Sequence, residues 1–80
     1  MPDPSLILLA ADDDVAVARV ALEPGTALGA ALVTRDRIPA GHKIAVRDIA
    51  SGRPVHKYGQ IIGVATAPIS AGEHVHVHNV

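Results

Sequence analysis

Short apolar segments separated by turn-forming residues make up this chain. Leu6–Leu9 is an apolar run that predicts a buried strand, and Asp12–Asp14 after it predicts a turn. Val15–Leu22 predicts a second strand, and Gln60–Ala67 predicts a central apolar strand in which Gly63 marks a bulge or a close backbone approach. No window of helical length keeps an uninterrupted i, i+3, i+4 pattern. The chain is therefore predicted to form short strands with little helix.

A short motif recurs between these segments. An aliphatic residue, two small or proline-containing positions, a glycine, two variable positions and a second aliphatic residue occur four times, at Leu22–Leu28, Ile38–Ile44, Ile49–Val55 and Ile69–Val75. Each copy predicts a strand end, a tight turn whose glycine takes a positive φ, and the start of another strand. The copies are irregularly spaced, which excludes a solenoid. We expect one compact all-β domain covering residues 1–80.

Three of the five histidines stand at alternate positions in the tail, as His74, His76 and His78, with Val75 and Val77 between them. On an extended strand the three imidazoles would share one face and the valines the other. Neighbouring histidines would then be about 6.5–7 Å apart at the backbone and the outer two about 13 Å apart. We therefore expect at most an adjacent pair to bind one metal ion. The alternative is a solvated polar strand face.

Composition limits the size of the core. The chain has 80 residues, of which 49% are hydrophobic, but it contains no Phe, Trp or Cys and one Tyr. Small aliphatic side chains bury little area each, and no disulfide can reinforce the fold. A partner chain or a homo-oligomer is therefore expected on stability grounds.

Charge and hydropathy exclude two classes of function. The formal net charge of −1 and the near-absence of aromatic residues argue against a nucleic-acid module. Leu6–Ala11 is too short to span a membrane and lacks the features of a signal peptide, so a cytoplasmic location is expected. Basic residues crowd the middle of the chain, at Arg35, Arg37, Lys43, Arg47, Arg53 and Lys57. If these segments fold beside the histidine tail, the local field favours a small anion.

Five segments in a fixed order carry a family resemblance. They are Asp13–Ala18, Gly41–Ala45, Lys57–Gly59, Ile62-Gly63 and Ala71–Asn79. Together they resemble the small N-terminal domain of the altronate/galactarate dehydratases, a SAF domain with a β-clip fold. In that family the domain is fused to a larger catalytic domain or made as a separate small subunit. The sulfolactate sulfo-lyases are similar, with a small subunit that needs a large partner.

Two positions depart from the family pattern. His56 stands where an aliphatic residue is usual, so no family role is carried over to it. Asp14 replaces the more usual Asn, and we expect this to alter the turn without chemical consequence.

The resemblance implies one part of a hydro-lyase that dehydrates a hexonate or hexarate, with an Fe²⁺ or Mn²⁺ ion and a large catalytic partner. The site residues it implies are His42, Lys57 and Tyr58 as catalytic groups, Lys43, His74 and Asn79 as substrate contacts, and His76 and His78 as metal ligands. Lys57 could pair with a substrate carboxylate, and Tyr58 could donate to a hydroxyl. Eighty residues are not expected to hold the complete active site.

Other interpretations stay open at this point. His42 alone is also typical of a solvated loop histidine, and Tyr58, as the single aromatic residue, could fill the core or contact a partner. At the level of the whole chain, a non-catalytic SAF binding module and a sulfolactate sulfo-lyase small subunit are the competing functions.

Overall fold

The computed structural model describes residues 5–8, 10, 12–29 and 32–80. This part of the chain contains strands and turns but no helix, which confirms the all-β prediction. The strands are β1 (Leu6–Ile7), β2 (Val15–Ala18), β3 (Lys43–Ala45), β4 (Pro54–Lys57), β5 (Gln60–Val64) and β6 (His74–Val75). Within the described residues no helix is long and apolar enough to cross a membrane.

Two antiparallel sheets carry the fold. The larger has the strand order β1-β2-β3-β6, and the smaller is the β4-β5 hairpin. Side chains alternate across the larger sheet, so Val15 enters one apolar cluster and Ala16 the other. The first cluster contains Val15, Ala45, Ile49, Val55, Ala65, Ile69 and Val75. The second contains Ala16, Ala18, Leu22, Leu28, Ile38 and Ile44. Both faces of the larger sheet are therefore covered.

The recurring glycine turns form as predicted. Gly25, Gly41, Gly52 and Gly72 all have positive φ values, between 82° and 93°. The aliphatic residues that open the four copies of the motif pair by isolated bridges, Leu22 with Ile38 and Ile49 with Ile69. One pair lies in each apolar cluster. The motif therefore supplies the turns and also the bridges that close both halves of the core.

Three strand predictions need correction. The strand predicted over Val15–Leu22 ends at Ala18, and Leu22 makes an isolated bridge instead. The first strand is seen as Leu6–Ile7, with Ile7 40% exposed, so it is not a buried strand; Leu9 lies outside the described residues. The strand predicted over 60–67 ends at Val64 and is not central, because among the described strands it pairs with β4 alone.

Gly63 explains the shape of the hairpin. Val55 pairs with Gly63 and His56 with Ile61, so Ile62 is an extra residue in β5. A Cβ atom on Gly63 would lie 2.6 Å from Cγ1 of Val80. Gly63 therefore marks both a bulge and a close approach, and the predicted role is confirmed.

Candidate functional site

The pairing of β3 with β6 brings the tail histidines to His42. Lys43 pairs with Val75 and Ile44 with His74, so the same register places His42 opposite His76. The two rings stack with centroids 4.7 Å apart. The centroid of the His42 ring also lies 5.1 Å from that of His74. Residues more than thirty positions apart thus form one cluster, defined here as His42, His74 and His76 and called the histidine triad.

The triad presents its ring nitrogens to a common point. Nδ1 of His42 lies 2.9 Å from Nε2 of His74, so one nitrogen donates a hydrogen bond to the other. Ligand nitrogens of all three residues lie within 4.8 Å of one another. Three nitrogens bound tetrahedrally at about 2.1 Å from one ion would be about 3.4 Å apart, so small side-chain rotations suffice. The donor set fits a divalent transition metal that keeps an open position for a ligand.

The lowered pKa of His74 supports metal binding by the triad. Burial is the largest cause that lowers the pKa of His74 below its ordinary value of 6.5, and the nearby charge of His42 is the next. His78 and His76 act in the same direction, whereas the carboxylate of Asp36 acts in the opposite one. A histidine with a lowered pKa is neutral at physiological pH and keeps the lone pair that a metal needs.

The tail does not continue as the extended strand that the alternating pattern predicted. β6 ends at Val75, and the chain then turns. Oδ1 of Asn79 accepts a hydrogen bond from the backbone N–H of His76 at 3.0 Å, and Nδ2 of Asn79 donates to the carbonyl of His74 at 2.8 Å. The buried Asn79 side chain therefore holds the turn, and these contacts do not favour its predicted role as a substrate contact.

This turn changes the predicted metal site. The rings of His74 and His78 have centroids 5.4 Å apart, so the expectation that these two side chains lie too far apart to meet is wrong. The nitrogens that the structure brings together belong to His42, His74 and His76. Of the predicted metal pair, His76 belongs to the triad, whereas His78 stands beside it.

A cavity of about 350 Å³ reaches the triad at His76, the triad residue that lines it. It is lined by Lys43, Lys57, Ile62, His76, Val77 and Val80. Two ammonium groups beside an imidazole suit an anionic ligand that also approaches a metal on the triad. The structure therefore brings together Lys43, Lys57 and His76, which the sequence predicted as site residues.

Asp13 positions the segment that carries Lys57. Its buried carboxylate accepts hydrogen bonds from the backbone N–H groups of Tyr58, Gly59 and Ala10 at 2.8, 2.8 and 3.2 Å. Burial alone would raise the pKa of Asp13, but the hydrogen bonds from Gly59, Tyr58 and Ala10 outweigh it, so the pKa lies below its ordinary value. The sequence predicted a turn at Asp12–Asp14, and this supporting role was missed because it depends on a contact 45 residues away.

Tyr58 does not fill the core. Its side chain is 64% exposed, its φ is 59°, and it is not among the residues that line the cavity. The ammonium nitrogen of Lys57 lies 5.6 Å from the centroid of its ring. The open alternatives for Tyr58 are therefore a partner contact and a substrate contact made in a complex.

Asp36 is a second residue that the sequence did not indicate. Its Oδ2 accepts a hydrogen bond from the backbone N–H of His74 at 3.0 Å, which fixes the start of β6. Asp36 stands between Arg35 and Arg37, and nothing in that spacing points to a tail 38 residues away.

Asp14 and His56, the two residues that depart from the family pattern, contact each other. Oδ2 of Asp14 accepts the backbone N–H of His56 and lies 2.8 Å from its Nδ1. Asp14 therefore has a chemical consequence, and the expectation that it alters only a turn is wrong. A cavity of about 410 Å³ lies beside this pair, larger than the one beside the triad. Arg47 and Arg53 line this second cavity together with Asp14 and the exposed Asp48. Because these charges nearly balance, the second cavity is a weaker candidate than the first for binding an anion or a metal ion.

Comparisons with known proteins show the family to which the chain is similar. A family model described as the altronate/galactarate dehydratase SAF domain matches residues 4–80. An altronate dehydratase of Escherichia coli is 47% identical over 70 residues, which cover 84% of this chain and 14% of that protein. An altronate dehydratase of Bacillus subtilis is 40% identical over 78 residues, which cover 94% of this chain and 16% of that protein.

A relative of another activity is also similar. The (2R)-sulfolactate sulfo-lyase subunit alpha of Chromohalobacter salexigens is 54% identical over 46 residues, which cover 58% of this chain and 49% of that subunit. This chain thus spans about a sixth or less of the altronate dehydratases and about half of that sulfo-lyase subunit.

Proposed function

The chain belongs to the altronate/galactarate dehydratase SAF domain family, and from this premise we propose that it is the small subunit or N-terminal domain of a sugar-acid dehydratase. The activity is that of a hydro-lyase and requires a large catalytic partner. The single observation that carries the proposal is the meeting of the histidine triad with a cavity that Lys43 and Lys57 line. We expect the enzyme to act in the cytoplasm.

The triad is proposed to hold one Fe²⁺ or Mn²⁺ ion, with His78 beside it. Three imidazoles and an open position support a divalent cation of the first transition row. When bound, such an ion would attract the carboxylate and 2-hydroxyl of a hexonate or hexarate and make the proton on carbon 2 more acidic. Asn79 and Asp36 position the triad, because they hold the backbone on both sides of it.

The lysines are proposed to bind the substrate. Lys43 and Lys57 would pair with its carboxylate oxygens. His42 is proposed as a ligand of the ion in place of its predicted catalytic role, so the proton on carbon 2 would pass to a base of the large partner. Carbon 2 loses a proton and carbon 3 loses its hydroxyl, which leaves as water. The resulting enol rearranges to the 2-keto-3-deoxy acid. Tyr58, exposed in this chain, would donate to a hydroxyl after the partner has closed the site.

A sulfo-lyase small subunit is the second candidate function. The 54% identity to a sulfolactate sulfo-lyase subunit alpha supports it. A sulfonate is an anion that two lysines can bind as well as they bind a carboxylate. In that case the carbon–sulfur bond breaks and the sulfonate group leaves as sulfite, where the hydroxyl of a sugar acid leaves as water, and the small subunit would still need a partner.

A reconstitution experiment tests these functions. The altronate dehydratase of E. coli is expressed without the segment that this chain matches, and the chain is added to it. We expect dehydration of a hexonate or hexarate to depend on the added chain, and the His42→Ala and His76→Ala variants to abolish it. His56→Ala, whose ring lies outside the triad, serves as the matched control.

Three results would contradict the proposal. Sulfolactate turnover in place of dehydration, with a sulfo-lyase large subunit, would assign the second function. Activity that needs no added chain would identify a non-catalytic binding module. Activity that survives His42→Ala and His76→Ala together would separate the triad from catalysis.

A further inference from the structure

The β4-β5 hairpin and the tail expose an unusual amount of apolar surface. Tyr58 is 64% exposed, Ile61 63%, Ile62 42%, Val64 50% and Val77 82%. These five residues are called the β5 surface. An exposed apolar patch of this kind on a small domain marks a site of interaction with another protein, because water contact with it is unfavourable.

The backbone of β5 adds to this surface. Within the described residues β5 is hydrogen-bonded to β4 alone, so its second edge is open. The sequence Gln60–Val64 contains no charged residue and no proline. An apolar edge strand without these protective features is a template for pairing with another chain. The bulge at Ile62 bends the strand but leaves its apolar side chains in solvent.

The β5 surface borders the candidate site. Ile62 and Val77 line the same cavity as Lys43, Lys57 and His76. A chain that covered Ile62 and Val77 would therefore form a wall of this cavity as well. It would also exclude water from the lysines and the triad, which strengthens their electrostatic interactions with an anion.

We propose that the β5 surface is the docking surface for the large catalytic polypeptide of the dehydratase. This inference rests on the proposed function. The matched altronate dehydratases have more than four fifths of their length outside the segment that this chain covers, so the occupant is a large polypeptide. Its docking segment is apolar, to match the five exposed side chains, and it adds to the open edge of β5.

The edge of the larger sheet that β1 forms is the competing surface for a partner. Ile7 in β1 and Leu8 after it are each 40% exposed. Neither residue lines the cavity beside the triad or the one beside His56. A partner on β1 would leave the candidate site open to water, whereas a partner on β5 completes it.

Binding measurements with matched variants test the proposal. The titrant is the E. coli altronate dehydratase without the segment that this chain matches. Ile61→Asp and Val64→Asp change the β5 surface without touching a residue that lines the cavity beside the triad. Each is expected to raise the Kd for that polypeptide about 30-fold or more, because a charge replaces a buried apolar contact. Val20→Asp is the control, since Val20 is 52% exposed outside this surface.

Three further readouts separate the possible results. Circular dichroism and Mn²⁺ affinity of each variant alone should match those of the wild-type chain, which shows that the fold and the triad are intact. The proposal is overturned if both variants bind the polypeptide as tightly as Val20→Asp does. It is also overturned if light scattering shows a wild-type dimer that these variants dissociate while their binding to the polypeptide is unchanged, because the surface then belongs to a second copy.

The docking surface and the proposed function fail in different ways. One result is that the wild-type chain mixed with the polypeptide dehydrates sugar acids, while Ile61→Asp and Val64→Asp stay active and bind the polypeptide as tightly. In that case only the proposed docking surface is wrong. If the wild-type chain neither binds the polypeptide nor supports dehydration, the proposed function is wrong and the docking surface fails with it.

Discussion

Two histidine environments lie at opposite ends of β3, and they differ in what surrounds the rings. His56 has Nδ1 2.8 Å from the carboxylate of Asp14, which also accepts its backbone N–H. His42 precedes β3 and contacts the rings of His74 and His76. At the triad the carboxylate of Asp36 accepts a hydrogen bond from the backbone N–H group of His74.

The difference separates a histidine that is paired within the chain from a cluster that is proposed to bind a metal ion. A carboxylate compensates any positive charge on His56, so that pair is complete within the chain. The triad instead gathers rings that repel one another when protonated, and burial lowers the pKa of His74 before its neighbours add to the effect. This arrangement supports the proposal that the triad binds a cation from outside the chain.

The largest effect is expected on metal affinity. His42→Ala or His76→Ala should weaken Mn²⁺ binding by about 100-fold or more, because one of three ligands is lost. His56→Ala should leave it unchanged. Isothermal titration of each variant measures the difference. Equal losses for His56→Ala and His42→Ala would remove the distinction between the two environments.

A smaller effect is expected on the stability of the chain when the pair of Asp14 and His56, at the other end of β3, is broken. Asp14→Ala should lower the free energy of unfolding by about 2 kcal/mol, because two hydrogen bonds to a partly buried carboxylate are lost. Asp14→Asn should cost less, since its side-chain oxygen still accepts the backbone N–H of His56. Urea denaturation measures both. Mn²⁺ affinity should be unchanged in either variant, and a fully stable Asp14→Ala would show that the pair has no structural role.

The smallest effect is expected when the free energy of unfolding is measured as a function of pH. The pKa of His74 is lower in the folded chain than its ordinary 6.5, so the unfolded chain binds this proton more readily. The free energy of unfolding should therefore fall as the pH drops below about 6.5 and should level off below the folded pKa. His74→Gln should flatten this part of the profile, whereas His78→Ala should retain most of it. A His74→Gln profile identical to that of the wild type would contradict the assignment.

Local patterns predicted the turns well. The four glycines at the motif positions take positive φ, which glycine adopts without the steric cost of a Cβ atom, so the motif alone locates them. Gly63 was likewise recognisable, since a glycine within an apolar strand has few other uses. The all-β fold follows from these positions together with the absence of a helical pattern.

The site was predicted less completely because its geometry is not local. Alternating His and Val residues favour a strand, but the Asn79 side chain bonds to two backbone groups and the turn replaces the strand. The contact between His42 and His74 spans 32 residues and depends on the β3-β6 register, which no spacing reveals. The same holds for Asp14 and His56, whose pairing spans 42 residues.

Paramagnetic broadening by Mn²⁺ tests the central claim most directly. Imidazole signals of the whole chain are followed by nuclear magnetic resonance while substoichiometric Mn²⁺ is added. The account predicts that the rings of His42, His74 and His76 broaden first and together, followed by His78, while the His56 ring stays sharp. Broadening of His56 at the same Mn²⁺ concentration, or of His76 and His78 without His42, would contradict it.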